Sequence, residues 1–428
     1  MTYQEAVNYI ESQRRFGMQP GFERINGLLR LLGHPEEGLS YIHVAGTNGK
    51  GSVCTETANI LLAAGYHVGL FTSPYVVTFR ERIQVDGAYM DPDTMGCLMD
   101  QIKEAAEKLA KEEIFPTEFE LITALAFLYF QKKQCNIVVL EVGLGGLLDS
   151  TNVIKHPLVC GITSLSMDHT EILGSSLAEI AAQKAGIMKP AVPVVVEEKQ
   201  APEALSVLRQ TAKEKGCPFF FGKTEEIQVL SASLSGTELK IEGEMINFPL
   251  LGEHQIQNLG VTLGLLRVLR SRGYDIRARH IKAGLEKTRI PARLEVFRKS
   301  PPLLLDGGHN ADGIAALVKT VSRFTEAGNR VFLMGVMADK AVDTMIRELL
   351  PLASFFVATT PRNPRALPAE ELRKKLLSAG LPEGKVLAEE NPEAALNTAL
   401  RIAGTAPLIV CGSLYLAGDL RPRLLELC

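Results

Sequence analysis

Residues 41–65 read YIHVAGTNGKGSVCTETANILLAAG, and this stretch decides the fold class. Tyr41–Ala45 is a short run of apolar and β-branched residues, the pattern of a buried strand. Ser52–Ala64 has helical spacing, so the strand passes through Gly46-Thr47-Asn48-Gly49-Lys50-Gly51-Ser52 directly into a helix. A phosphate-binding loop requires that context: glycines let successive N–H groups converge on one anion, and the helix N-terminus adds partial positive charge. Lys50 is expected to reach the β and γ phosphates of a nucleotide, and Ser52 to meet a phosphate oxygen or Mg²⁺. The string departs from GxxxxGK[ST], because Gly51 separates lysine from serine and Val44 stands where the first glycine would be. That departure weakens any match to ordinary kinases and GTPases. A glycine-rich turn that merely joins strand to helix is the alternative, but a bare turn has no need of a lysine there.

Outward from this loop, short β-rich runs alternate with longer helical patterns, which predicts a parallel sheet covered by helices. The expected strands are Tyr41–Ala45, Val68–Thr72, Asn136–Glu141, Leu158–Thr163 and Val192–Val196, with helices such as Ser52–Ala64, Glu118–Lys132 and Leu177–Ile187 between them. An alternating polar insert at Ile227–Phe248 interrupts the pattern and reads as a small antiparallel subsheet. A second series follows Pro291, with strands at Leu303–Asp306, Val331–Gly335, Phe355–Ala358 and Leu408–Gly412. Lys287–Arg293 is the expected hinge. The fold class expected is α/β: a P-loop-containing parallel-sheet domain at 1–288 and a smaller Rossmann-like α/β domain at 289–428. Open parallel sheets bind ligands at the carboxyl ends of their strands, so the residues just past each strand carry the functional reading.

At 428 residues the chain exceeds one ordinary core, which agrees with two domains. It is 46% hydrophobic and 22% charged with a net charge of −3, so neither nucleic acid nor an anionic membrane is attracted at long range. The seven cysteines are scattered without a CxxC pair, which argues against a zinc site or a disulfide framework. The N-terminal stretch carries charges throughout, and no long apolar run follows, so a cytoplasmic location is expected.

Several strand ends carry candidate chemistry. Ser73 follows Val68–Thr72, where a turn serine is the plain account. Glu141 ends the run NIVVLE directly before Gly143, Gly145 and Gly146, a turn that ends in Asp149; a carboxylate capping a buried strand there is a hard-oxygen ligand suited to Mg²⁺, or else a helix-capping or ion-paired acid. His169, in MDHTEILG, could ligate metal or orient a neighbouring carboxylate. Lys184 is a helix-terminal lysine or, more sharply, one that CO₂ converts to a carbamate supplying an anionic ligand. Asp306, Gly308, His309 and Asn310 form another strand-to-helix turn, where Asn310 can cap its helix and Asp306 and His309 can meet a nucleotide. Arg293 has a planar fork suited to oxyanions, or is a surface hinge arginine. Together these groups suit phosphoryl transfer, in which positioning and charge neutralisation dominate catalysis.

The strings GTNGKGS, SPYVVTFRERIQV, PTEFELITALAFLYF, EVGLGGLLDSTN, MDHTEILG, QKAGIMKP, PARLEVF, DGGHNADG, ADK and GSLYLAG occur in this order from Gly46 to Gly418. In this they resemble the folylpolyglutamate synthase/dihydrofolate synthase members of the Mur ligase superfamily. The resemblance implies ATP on Gly46–Ser52 and two Mg²⁺ held by Ser73, Glu141, His169 and a carbamylated Lys184. Lys50, His169 and Lys184 are then the catalytic groups, Asn258 is an adenine-side contact, and Arg293, Asp306 and His309 are nucleotide contacts. Tyr75 and Arg82 lie where folate would approach. The implied enzyme, a monomer, adds L-glutamate to the γ-carboxylate of folate through an acyl phosphate, with dihydropteroate as a further candidate substrate. The competing classes are a UDP-muramoyl amino-acid ligase, although no room precedes the loop for a UDP-binding domain, and a non-catalytic nucleotide-binding regulator. Leu147 stands where many relatives have arginine, and Gly308 replaces a common alanine.

Overall fold

The computed structural model describes residues 1–17, 21–326 and 328–427. The chain divides into two compact units: Met1–Ile227, Ile241–Glu244 and Ile256–Lys287 form the first, and Gln228–Lys240, Met245–Gln255 and Thr288–Cys428 the second.

The first unit is built on strands β1 (Tyr41–Ala45), β2 (Val68–Phe71), β3 (Ile83–Val85), β4 (Ala88–Tyr89), β5 (Ile137–Glu141), β6 (Val159–Ile162), β7 (Val194–Glu197) and β8 (Phe219–Gly222). They form one sheet in the order β4-β3-β2-β5-β1-β6-β7-β8. The central pairs are parallel, while the β2–β3 and β3–β4 pairs are antiparallel. Strand β1 and its neighbours β5 and β6 are buried along their whole length, which is why their sequences are continuous apolar runs rather than alternating ones.

One sheet face meets helix Glu118–Lys132, whose apolar run is almost entirely buried. Its start is fixed by a capping box in which Thr117 and Glu120 satisfy each other's backbone N–H groups. Helices Tyr3–Ser12, Glu23–Leu31 and Pro92–Ala110 pack around it in the same core. The opposite face meets helix Lys50–Ala63 and helix Glu253–Ser271, where Gly161 faces Leu265 and Gly264 faces Val195.

Strands β9 (Gln228–Ser233), β10 (Gly236–Ile241) and β11 (Glu244–Phe248) make a separate three-stranded sheet, with β9 and β10 antiparallel. This is the subsheet expected at 227–248. The second unit's main sheet comprises β12 (Glu295–Lys299), β13 (Pro302–Leu305), β14 (Arg330–Met334), β15 (Ala353–Thr359), β16 (Val386–Glu389) and β17 (Leu408–Cys411), in the order β12-β13-β17-β14-β15-β16. All its recorded pairs are parallel except β12 with β13, and Phe332 and Phe356 stack 5.3 Å apart in its core. Among the described residues no helix is long and apolar enough to cross a membrane.

Helix Ala278–Lys287 packs closely on helix Lys50–Ala63, and the contact depends on a missing side chain. A Cβ on Gly284 would lie 2.5 Å from Ile60 Cα and 2.6 Å from its N. Gly284→Ala should therefore force the helices apart and cost about 1–3 kcal/mol. Urea unfolding checks this, since an unchanged midpoint would contradict so close an approach.

Candidate active site

The loop after β1 is shaped by two glycines. Gly46 adopts φ +153°, and a Cβ there would sit 1.7 Å from Thr163 Oγ1. Gly49 caps helix Lys50–Ala63 at φ +87°, and its Cβ would sit 2.1 Å from Asn258 Oδ1. A left-handed backbone in a space already filled by a neighbour admits only glycine. The segment after β6 holds the loop: the Thr163 hydroxyl donates to Asn48 O at 2.7 Å, Thr47 N donates to Ser164 O at 2.8 Å, and Ser166 N donates to Thr47 Oγ1 at 3.1 Å. Lys50 Nζ donates to the carbonyls of Gly46 at 3.1 Å and Thr47 at 3.2 Å, so the ammonium arches over the loop. Thr163, Ser164 and Ser166 were not singled out from sequence; the polar string TSLS immediately after a central strand was the available signal.

Glu141 is buried at the end of β5, where its Oε2 accepts the Ser73 N–H at 2.9 Å. The loop's helix passes close by, for a Cβ on Gly51 would meet the Glu141 oxygens at 3.5 and 3.8 Å. Ser73, Glu141 and the loop thus share one rim. The glycine-rich turn that follows is organised by Asp149. Its Oδ2 accepts the Leu144 N–H at 2.9 Å, and its Oδ1 accepts the N–H and the hydroxyl of Thr151 at 2.9 and 2.5 Å. Those oxygens are spent on the turn's own donors, so Asp149 is a capping acid. His43 in β1 joins this network through Nε2, 2.9 Å from Thr151 Oγ1, and burial holds its pKa down to about 3, with Lys189 adding to the effect.

Leu147 N donates to Gln183 O at 2.7 Å, and Asn152 Nδ2 donates to Leu147 O and Gly186 O. The turn is thereby fastened to the end of helix Leu177–Ala185, which carries Lys184. The Leu147 backbone does this work, while its side chain is exposed. Lys184 itself is only 4% exposed. Burial drives its pKa down to about 7; Lys50 pushes it the same way, and Asp168 and Asp149 pull it back. His169 lies beside Asp168, with Nε2 4.0 Å from Oδ1, in a left-handed backbone at φ +50°. Its ring is partly open to solvent, unlike the buried Lys184.

The segment after β2 is ordered by Glu81. Its Oε1 accepts the N–H groups of Val77 and Thr78 at 2.9 Å each, and its Oε2 accepts that of Val76 at 2.8 Å. The Thr78-x-x-Glu81 spacing is a capping box, a signal already present in the sequence. Arg82 is largely buried, its guanidinium 5.2 Å from the Tyr75 ring centroid and 5.7 Å from that of Phe79. Tyr75 remains half-buried.

In the second unit, Asp306 follows β13. Its Oδ1 accepts Gly308 N–H at 2.7 Å and its Oδ2 accepts Leu294 N–H at 2.9 Å. Burial raises its pKa, offset in part by Arg293. Arg293 lies between Ala292 at φ +56° and Leu294 at φ +45°, two left-handed non-glycine residues. Asn310 caps helix Ala311–Phe324 by accepting Gly313 N–H at 2.8 Å, and His309 Nδ1 lies 3.0 Å from Gly307 O.

The Mur ligase middle domain matches residues 44–266, and the Mur ligase glutamate ligase domain matches 292–414. The chain belongs to the Mur ligase family, in its folylpolyglutamate synthase/dihydrofolate synthase branch. Among its relatives, the dihydrofolate synthase/folylpolyglutamate synthase of Bacillus subtilis is 36% identical over 99% of both chains. The folylpolyglutamate synthase of Lacticaseibacillus casei is 33% identical over 99% of both. Among solved structures, Mycobacterium tuberculosis folylpolyglutamate synthase complexed with ADP and AMPPCP superimposes with a TM-score of 0.89 at 28% identity, covering 99% of each chain. With these full-length relatives, the chain is an ATP-dependent, ADP-forming glutamate ligase.

Glu81→Ala should leave three N–H groups without their acceptor and speed hydrogen exchange at Val76, Val77 and Thr78 by roughly tenfold or more, equivalent to about 1–3 kcal/mol. Unchanged exchange at those amides would mean that Glu81 does not order this segment.

Proposed function

We propose that this enzyme joins L-glutamate to the γ-carboxylate of a folate, with tetrahydrofolate as an acceptor, and that it also converts dihydropteroate to dihydrofolate. The combined name of the Bacillus subtilis relative supports the double activity, as does an Escherichia coli FolC structure with DHPP and ADP, matched with a TM-score of 0.85 at 27% identity. The observation that carries the proposal is Lys184, a buried lysine close enough to Lys50 and Asp168 to feel both charges, at a rim shared with a phosphate loop.

Residues 1–288 supply the ATP-binding and folate-binding domain in this reading, and 289–428 the C-terminal domain. Gly46, Thr47, Asn48, Gly49, Gly51 and Ser52 cradle the ATP phosphates with their N–H groups, while Lys50 offsets charge on the γ-phosphoryl group as it leaves ADP. The acceptor's carboxylate oxygen takes that phosphoryl group, forming an acyl phosphate. The amino group of L-glutamate then attacks the acyl carbon; the amide bond forms, the nitrogen loses its proton, and inorganic phosphate departs. Asn258 contacts the adenine side, and Arg293, Asp306 and His309 complete the nucleotide contacts. Tyr75 and Arg82 line the folate approach. The enzyme acts as a monomer in the cytoplasm.

The oxygen donors fit Mg²⁺: Glu141 offers a buried carboxylate and Ser73 a hydroxyl, both suited to a hard cation, while the imidazole of His169 is a less usual partner for that ion. Lys184 completes the set once carbamylated, because a carbamate is a carboxylate-like anion. Bound Mg²⁺ supplies charge neutralisation on the phosphate oxygens. Carbamylation needs a neutral amine, and burial brings the Lys184 pKa from its ordinary 10.5 to about 7. The neutral form therefore grows as pH rises through about 7 and vanishes below it.

Lys50→Ala should abolish ligation in a variant that still melts as the wild type does; near-normal turnover would contradict the role of the loop. Lys184→Ala should lose activity by roughly a hundredfold or more and recover part of it with short carboxylic acids, whereas full unassisted activity would remove the carbamate. Phosphate release with ATP, Mg²⁺ and glutamate, offered dihydropteroate and tetrahydrofolate separately, tests the acceptor; no release with either would overturn the assignment.

A further inference from the structure

Helix Lys50–Ala63 buries a carboxyl group that the chemistry above does not use. Glu56 is completely inaccessible to solvent, its Oε2 lies 2.6 Å from Thr262 Oγ1, and its Oε1 has no hydrogen-bond partner. Among the described residues no cation acts on it: burial raises its pKa and the Thr262 hydroxyl lowers it by a smaller amount. The titratable group recorded as feeling its charge is the buried Cys54 thiol on the same helix. An isolated carboxylate in such a place is far costlier than a neutral acid.

The protons can be counted. Thr262 has one hydroxyl proton and two acceptors in reach, Glu56 Oε2 at 2.6 Å and Asn258 O at 3.3 Å. With Glu56 ionised, that proton turns to the carboxylate and the Asn258 contact is lost. With Glu56 neutral, its own O–H donates to Thr262 Oγ1 and the Thr262 hydroxyl donates onward to Asn258 O. Every proton then has an acceptor. Asn258 is also the residue whose Oδ1 fills the space beside Gly49 in the phosphate loop.

We propose that Glu56 is a positioning residue, held as a neutral carboxylic acid, whose proton runs through Thr262 to the Asn258 backbone carbonyl one turn back in the same helix, and so steadies the turn that presents the Asn258 side chain to the loop after β1. This rests on the proposal that Asn258 meets the nucleotide. Burial pushes the Glu56 pKa up to about 8 from the ordinary 4.5, in keeping with a retained proton. The sign follows: the neutral acid is fully present in the folded chain at low pH, and its contribution is lost as pH rises through about 8. Nucleotide binding should weaken with it.

Calorimetric titration of ADP into the full chain, at about pH 7 and about pH 9, tests the relay. At the lower pH, Glu56→Ala and Thr262→Val should each bind ADP roughly three- to tenfold more weakly. Glu56→Gln, a neutral isostere whose amide can donate to Thr262, should keep wild-type affinity there. It should also lack any alkaline decline that the wild type shows beyond it. Infrared spectra at the lower pH should contain a protonated-carboxyl stretch that Glu56→Gln removes, which tests the proton even if the alanine variant does not fold. The relay is overturned if that band is absent, if Glu56→Gln declines with pH as the wild type does, or if folded Glu56→Ala binds ADP normally. Asn258→Ala separates the two levels. Should it weaken binding while Glu56→Ala does not, the relay fails and the nucleotide role stands; should it bind normally, both fail.

Discussion

Two backbone positions in the loop after β1 have no room for a side chain, and the first unit's functional end is organised around that crowding. Gly46 is pressed by the Thr163 hydroxyl and Gly49 by the Asn258 amide. The loop is therefore not a free turn that awaits a ligand: it is wedged between the segment after β6 and the helix beginning at Glu253. The same contacts leave Lys50 bridging the loop's own carbonyls, close to where its charge would be used. A cradle of backbone amides gains from such rigidity, because dipoles fixed in advance need no reorganisation when charge moves.

Around this cradle, ionisable groups are sorted by environment. His43 and Glu56 are enclosed, and burial favours their neutral forms. Asp149, also enclosed, spends its oxygens on the turn's own donors. Lys184 stands between these extremes: it is enclosed, yet within reach of Asp168 and Lys50, and its neutral and charged forms balance near neutrality. Such a group suits reversible chemistry with carbon dioxide, whereas an ordinary surface lysine is almost wholly protonated at that pH.

The sequence made the central strands legible because each is buried on both faces and so reads as an unbroken apolar run. The loop at Gly46–Ser52 stood out for a related reason, since a bare strand-to-helix turn has no need of a lysine among its glycines. What escaped notice is mostly short or peripheral. Strands β3 and β4 sit in the region read only as a substrate segment, β8 and β16 lie at sheet edges, and β12 follows the expected hinge; none is longer than five residues. The role of Asp149 was not legible, because a carboxylate beside glycines looks the same in one dimension whether it faces a cation or its own turn. Glu56 was invisible, for one acid in a helix normally means a solvated face, and only the position of Thr262, far along the chain, reveals its burial.

Glu81 gathers three consecutive amides into one carboxylate before any substrate arrives. A loop that is already shaped surrenders little configurational entropy when a ligand settles on it, so more of each contact's energy survives as affinity. A ligand that settled on this segment would be discriminated by steric and polar match to a fixed surface, and a poorly shaped one could not recover its losses by remoulding the chain around itself.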